Sequence, residues 1–159
     1  RILYFARRYD EAITQLERAA EIDPTNPSIY RMLWQCFHMK GDYSRAYESF
    51  MKFRQLIGTK DDVIKTYETL YAQSGWQSVL LKYLEIAKPN NTNGYAAYSL
   101  AALSAFTGNR EQSLNYLNFA LNSRSLEIYC LKGDPSFDSL RGDPRFEELL
   151  GQIKSKNTE

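Results

Sequence analysis

This sequence contains few cysteines and histidines, and its net charge is close to zero. Its 159 residues include 2 cysteines and 1 histidine, and 20 Lys and Arg against 19 Asp and Glu leave a formal charge of +1. The two cysteines, Cys36 and Cys130, are too few for a disulfide framework, and neither belongs to a CxxC pair. The balanced charge lacks the basic footprint of direct nucleic-acid binding, so we expect no nucleic-acid partner.

Long apolar runs are also missing. No stretch reaches the roughly 18 apolar residues of a membrane-spanning helix, which predicts no membrane insertion. The apolar opening at residues 2–6 is too short for a signal peptide, and this abrupt start without Met indicates a fragment of a longer chain. The sequence leaves the localisation open and favours the cytoplasm slightly.

Catalytic and metal-binding patterns are absent as well. Gly-rich phosphate loops and a nucleophile elbow do not occur. Cys36 and His38 lie two residues apart, which on a helix directs their side chains to different sides, whereas metal-binding pairs are three or four residues apart. Cys36 also falls on an apolar stripe, which is typical of a small core residue. We therefore expect no enzyme activity, no metal site and no cofactor.

The sequence does contain an internal repeat of about 34 residues. Ala12, within Tyr-Asp-Glu-Ala-Ile, aligns with Ala46, within Tyr-Ser-Arg-Ala-Tyr, 34 residues later. Three glycines keep the same step, with 34 residues from Gly41 to Gly75 and 33 from there to Gly108. The spacing indicates four copies of one unit.

Each copy has an apolar stripe at helical spacing, a turn at the glycine and a second apolar stripe, as an antiparallel helix pair requires. Asn26 and Pro27 supply an N-cap and a first helical residue for the second unit, and Gly41 ends its first helix. Residues 88–94 read as a loop between units. The stripes of the second unit, which would bury each other, are Ile29, Tyr30, Leu33, Cys36 and Phe37 on the first helix and Ala46, Tyr47, Phe50 and Phe53 on the second.

These units resemble tetratricopeptide repeats, whose period is about 34 residues in a helix-turn-helix. The resemblance implies an all-α, right-handed solenoid of antiparallel helix pairs, with about four units in residues 1–125 and the first one truncated. Leu80 and Ser113 depart from the pattern by replacing its small alanine, and Glu68 at another small position predicts a rotated third unit. The anchors that match are the small residues Ala12 and Ala46, the large residues Leu16 and Phe50, the second alanines Ala19, Ala87 and Ala120, and the closing Pro24.

Residues 126–159 follow a different pattern, which predicts short C-terminal capping helices and a tail. The motif Asp-Pro-x-Phe begins at Asp134 and again at Asp143, and in each copy Asp can cap a helix that Pro begins. Such helices would cover the exposed apolar flank of the last repeat. With this tail the chain is similar to the C-terminal repeats of bacterial multidomain regulators, in which a winged-helix, Ser/Thr kinase or nucleotide cyclase domain precedes the repeats. The resemblance implies a sensory or interaction module of a larger regulator.

Stacked repeats of this kind line a concave groove with their first helices, and the groove holds segments of other proteins. Arg31 and Lys65 fit the cationic positions of the carboxylate clamp of chaperone-binding members. Gln35 and Thr69 stand where that clamp has asparagine, so we predict no binding of a chaperone's acidic tail. Two cations 34 residues apart would instead meet one anionic segment of a partner. The predicted groove residues are Tyr4, Arg31, Gln35, His38, Lys65, Thr69, Gln73, Tyr95 and Tyr98.

The repeat and the missing catalytic patterns favour a module that binds a partner protein or peptide. Two alternatives remain open: self-association into a homodimer through the apolar, truncated N-terminal face, and sensing of a small molecule that controls an upstream output domain. The groove residues also have a structural interpretation, since Arg31 and Lys65 suit a solvated helix surface and Tyr95 or Tyr98 suits packing against the next unit.

Overall fold

The computed structural model describes residues 1–87 and 93–156, and every regular element in those ranges is helical. The predicted all-α class is therefore confirmed. Of the predicted loop at 88–94, residues 88–92 lie outside the described part of the chain. The helices are α1 Ile2–Phe5, α2 Tyr9–Ile22, α3 Pro27–Met39, α4 Tyr43–Leu56, α5 Asp61–Ala87, α6 Gly94–Phe106, α7 Arg110–Asn122, two 3-10 helices at Leu126–Cys130 and Pro135–Leu140, and α8 Pro144–Lys156.

The chain divides into two compact units, residues 1–79 and the residues from Leu80 onward. The first unit contains α1 to α4 and most of α5, and the second contains the end of α5 and all later helices. The predicted boundary after residue 125 falls inside the second unit, because the tail shares one hydrophobic core with α6 and α7.

Glycines end the first helices of the repeats, because each adopts a left-handed backbone conformation that other residues take only with strain. Gly41 has φ 75° and Gly108 has φ 76°. After Gly41 the amide of Asp42 reaches back to the Phe37 carbonyl at 2.9 Å, which satisfies a carbonyl of the last turn. Gly75, with φ 73° and ψ −169°, breaks α5 into two helical segments at the place that the repeat predicts.

Aromatic rings form the core of the first unit where α3, α4 and α5 meet. Phe50 is fully buried, and its ring lies edge-on to those of Trp34, Tyr67 and Trp76, with centroids 6.1, 5.3 and 5.4 Å away. The rings of Trp34 and Trp76 also contact each other at 5.9 Å. Edge-to-face pairs are stabilising beyond the apolar area that they bury. The cluster thus holds the residues that follow the Gly75 break against α3 and α4.

Residues that depart from the repeat pattern have local explanations in the structure. Glu68 is exposed while its neighbour Tyr67 is fully buried, whereas Trp34, which lies one repeat before Glu68, is buried. Ser113 is buried in α7, where its hydroxyl donates to the Ala101 carbonyl of α6 at 2.8 Å. Burying this hydroxyl therefore costs little folding free energy, because the hydroxyl keeps a hydrogen-bond acceptor.

The contact between α3 and α4 leaves no room for a larger residue at Ala46, which is fully buried. We predict that Ala46→Leu overpacks this contact and lowers the free energy of unfolding by about 1 to 3 kcal/mol. Urea unfolding measures the loss. Glu48→Leu, at an exposed position of α4, is the matched control and should change stability by less than about 0.5 kcal/mol. An unchanged urea midpoint for Ala46→Leu would show that α4 is rotated away from this register.

The second unit has a continuous core to which the tail contributes. Phe137 and Phe146 are fully buried, with ring centroids 6.4 Å apart, and the Phe137 ring lies 5.3 Å from that of Tyr98 on α6. The prediction that the tail covers the last repeat is therefore in agreement with the structure. Other buried side chains of this core are Ala97, Ala101, Leu114, Leu117, Ile128, Leu131, Leu140 and Leu149.

Both Asp-Pro motifs begin helices as predicted. Asp134 Oδ1 accepts from the Ser136 amide at 2.9 Å, and Asp143 Oδ1 accepts from the Arg145 amide at 3.0 Å. The first of these helices is a 3-10 helix of 6 residues, whereas the second is an α-helix of 13 residues and so is longer than the short cap that the sequence predicted.

Candidate binding face of the first unit

Two rows of polar side chains lie on the first helices of neighbouring repeats. On α3, Arg31 and Gln35 are one turn apart and partly exposed. On α5, Lys65, Thr69 and Gln73 follow at four-residue intervals before the break, and all three are exposed. Side chains four residues apart share one face of a helix. Each row therefore presents hydrogen-bonding groups along a single side of its helix.

The charge differs between the two helices. No Asp or Glu occurs in α3, and Arg31 is the one Lys or Arg of that helix. On α5, Asp61, Asp62 and Glu68 are exposed within four residues of Lys65 in sequence. The surface around Lys65 consequently has mixed charge, and Arg31 is the stronger candidate for contact with an anionic group.

The three tyrosines predicted for the groove are not part of these rows. Tyr4 is only 3% exposed, and its ring lies edge-on to that of Tyr9 at 5.7 Å. Tyr98 is 4% exposed, and its hydroxyl donates to Asp134 Oδ2 at 2.8 Å. Tyr95 is 47% exposed but belongs to the second unit. Burial removes Tyr4 and Tyr98 from the surface, and Tyr95 lies in the other unit. None of the three tyrosines therefore belongs to the candidate binding face of the first unit.

His38, the remaining groove residue, holds Trp76 in place. Its Nδ1 accepts a hydrogen bond from Trp76 Nε1 at 3.0 Å, so the neutral ring carries its proton on Nε2. Burial lowers the pKa of His38 from 6.5 to about 4, because the charged imidazolium would lose its hydration. The ring of Tyr43 also lies 5.8 Å from that of His38. The hydrogen bond thus connects His38 to Trp76, the first residue after the Gly75 break.

Acid should destabilise the first unit through His38. The unfolded chain binds a proton near pH 6.5, whereas the folded imidazole stays neutral down to about pH 4. The contribution of His38 is therefore complete above pH 6.5 and is lost as the pH falls through this window. We expect wild type to lose about 1 to 3 kcal/mol more unfolding free energy across the window than His38→Gln, whose amide oxygen can still accept from Trp76. Urea unfolding of both proteins measures the difference, and equal losses would contradict the lowered pKa.

A shallow depression of about 540 Å³ lies beside the Gly75 break. The Tyr71 ring there is stacked on that of Tyr47, with centroids 3.7 Å apart and planes 3° from parallel, and Tyr43 is 52% exposed. The polar row of α5 ends here. This depression was not predicted from the sequence, although an aromatic residue directly after the turn glycine was a signal for it. The lining residues are Tyr43, Tyr71, Ser74, Gly75, Trp76 and Gln77.

Groups suited to catalysis or metal binding are not gathered in the described ranges. There, no cluster of three or more His, Cys, Asp or Glu residues is placed to hold a metal ion. Cys36 is fully buried, and burial raises the pKa of its thiol to about 11, which suppresses the reactive thiolate. Across residues 1–87 and 93–156, helices also lack the combined length and apolar character needed to cross a membrane.

Comparison with known proteins gives three curated relatives and one family match. Lipopolysaccharide assembly protein B of Escherichia coli strain K12 is 28% identical to this chain over 96 residues, as are the proteins of the same name from strains O6:H1 and O157:H7. The match covers 58% of this chain and 24% of each relative, so the chain spans about a quarter of the length of these curated relatives. No solved structure matches. Residues 2–41, which include Arg31, Gln35 and His38, match the TPR repeat, a type that generally mediates protein–protein interaction.

Proposed function

We propose that the first unit is a protein-interaction module that holds an extended segment of a partner protein against α3 and the part of α5 before Gly75. The observation that carries this proposal is the pair of polar rows on first helices related by the 34-residue repeat. The core of the unit is formed by other faces of the same helices, so these rows are not needed to fill it. Their polar groups can contribute contacts to a second chain.

The charge of the two helices favours a partner segment with a carboxylate opposite α3. An arginine such as Arg31 suits a carboxylate, because its guanidinium can donate two parallel hydrogen bonds to that group. Gln35 and Gln73 carry amides that can both donate to and accept from the backbone of an extended chain. The proposed ligand is thus an extended, moderately acidic segment rather than a strongly anionic tail.

A wider role is proposed as the sensory or interaction part of a larger bacterial regulator. It is supported by the resemblance of the paired Asp-Pro-x-Phe tail to the C-terminal ends of such proteins. The match to lipopolysaccharide assembly protein B supports only the role of a scaffold, since repeats of this kind occur in proteins of many functions. The sequence of the full-length protein would identify an output domain.

Reversing the two cations tests the binding face. The chain serves as bait for a displayed library of random peptides, and titration calorimetry measures the affinity of the peptides selected. We expect Arg31→Glu combined with Lys65→Glu to weaken the binding of acidic peptides by about tenfold or more, because two attractive contacts become repulsive. Circular dichroism and thermal melting should remain those of wild type.

Arg18→Glu combined with Lys52→Glu is the matched control. Both residues are exposed, on α2 and α4, and the double change alters the net charge by the same amount. An equal loss in both variants would assign the effect to overall charge. If the selected peptides bind the Arg31 and Lys65 variant as tightly as wild type, the proposal fails and the site lies on another face.

Self-association and small-molecule sensing stay predictions with their own tests. Ile2 is 85% exposed at the N-terminal face, which is the surface that a homodimer would use. Light scattering that shows a monomer at every concentration would contradict self-association. For a small molecule, the depression at the Gly75 break is the candidate site, and a thermal-shift screen of metabolites that shows no stabilisation would count against it.

A further inference from the structure

We propose that Asn93 is a site of self-modification, at which the backbone amide of Gly94 attacks the side-chain amide of Asn93 and converts it to aspartate and isoaspartate. Asn93 is the N-cap of α6, and Gly94 is the first residue of that helix. The proposal does not depend on the binding face and concerns the second unit only.

The reaction balances with water as the only other reactant. The Gly94 nitrogen forms a bond to Asn93 Cγ, the bond from Cγ to the side-chain nitrogen breaks, and ammonia leaves with the proton of the Gly94 amide. The product is a five-membered succinimide. Water then adds to one of its two carbonyls and opens the ring. One opening gives aspartate, and the other gives isoaspartate, in which the backbone runs through the side-chain carbon.

The fold requires the glycine of this step and a capping residue before it. A Cβ at Gly94 would lie 2.8 Å from Ser125 Cβ and 3.0 Å from Ser123 Cβ, which is too close for any residue other than glycine. The position before it must cap the helix, and Asn93 Oδ1 does so by accepting from the Ala96 amide at 2.8 Å. Asn93, which carries a side-chain amide, is therefore followed by Gly94, which has no side chain of its own to shield its backbone nitrogen.

The cap also polarises the side-chain carbonyl that is attacked. The hydrogen bond from the Ala96 amide withdraws electron density from the Asn93 side-chain carbonyl and makes its carbon more open to attack. As the first helical residue, Gly94 has no carbonyl one turn earlier in the helix to which its own amide could donate. Asn93 is exposed, so water reaches the site for the second step.

Two other asparagines that cap helices provide internal comparisons. Asn26 accepts from the Ser28 amide at 3.1 Å, and Asn109 accepts from the Gln112 amide at 3.1 Å. Asn26 is followed by Pro27, whose nitrogen carries no hydrogen, so it cannot form the succinimide by this route. Asn109 is followed by Arg110, whose side chain hinders the approach. The three sites thus differ in the residue after the cap, and at Asn109 the following amide already donates to the Gly108 carbonyl at 3.0 Å.

The two products affect α6 in opposite ways. Aspartate at position 93 remains a good N-cap, and its charge is favoured at the start of a helix. Isoaspartate adds a backbone carbon and shortens the side chain, so it loses the cap and shifts the start of α6 away from Ser125. An ageing sample should therefore divide into one form with an intact cap and one without.

Incubation of the folded chain in neutral buffer tests the proposal. Peptide mass mapping, with fragmentation that separates aspartate from isoaspartate, gives the rate at each asparagine. We expect Asn93 to react at least about tenfold faster than Asn109, which corresponds to about 1.4 kcal/mol of activation free energy, and Asn26 to remain intact. Asn93→Ser keeps a capping hydroxyl but cannot cyclise, so it should release correspondingly less ammonia while the helical content is retained. A rate at Asn93 equal to that at Asn109, or ammonia release unchanged in Asn93→Ser, would overturn the proposal.

Discussion

Phe146→Ala should lower the stability of the second unit by about 3 to 5 kcal/mol. Phe146 has no exposed surface, its ring lies 6.4 Å from that of Phe137, and it belongs to the core that the tail shares with α6 and α7. Truncation removes the apolar contacts and leaves a cavity, because close-packed neighbours relax only in part. The loss is large relative to the total stability of a domain.

Urea unfolding followed by circular dichroism measures this change. Glu148→Ala is the control, since Glu148 is exposed on the same helix, and it should change stability by less than about 0.5 kcal/mol. Melting of Phe146→Ala that matched wild type would mean that the tail does not pack on the last repeat in solution. The tail would then be a candidate arm for binding a partner.

Trp76→Ala should cost the first unit a similar amount, about 3 to 5 kcal/mol. Trp76 is 4% exposed, and its ring contacts those of Trp34 and Phe50. Its Nε1 also donates to His38, so truncation leaves a partly buried acceptor without its donor. The lost ring contacts and the lost hydrogen bond both concern Trp76, the residue that directly follows the Gly75 break.

Trp76→Phe separates packing from hydrogen bonding. It keeps much of the ring contact but removes the donor to His38, so we expect a smaller loss of about 1 to 3 kcal/mol. Gln77→Ala, at the exposed neighbouring position, should be close to neutral. If Trp76→Ala and Gln77→Ala had equal effects, the aromatic cluster would not contribute to the stability of the first unit.

The candidate site was predictable only in part from the repeat. Arg31 and Lys65 were located by their 34-residue separation, and the structure leaves both outside the buried core. Tyr98 was assigned to the groove by the same counting, yet its ring is buried and bonded to Asp134. Counting residues identifies a side of a helix, but it does not show which neighbouring element covers that side.

Several helix ends and the apolar stripes could be predicted from the sequence alone. Capping at Asn26, Asp134 and Asp143 and the left-handed turns at Gly41 and Gly75 depend on the chemistry of a few adjacent residues. Local chemistry of this kind can be read without knowing the rest of the chain.

Contacts between side chains distant in sequence became known from the packing of the helices. The bond from Trp76 to His38 joins residues 38 apart, the stack of Tyr47 on Tyr71 joins α4 to α5, and Ser125 leaves no space for a side chain at Gly94. These contacts depend on how each helix is rotated about its axis, and a shift of one residue turns a side chain by about 100°. Tyr67 and Glu68 show the consequence, since adjacent positions of α5 are fully buried and exposed. The repeat period is too coarse to specify that rotation, whereas close packing of the rings selects it.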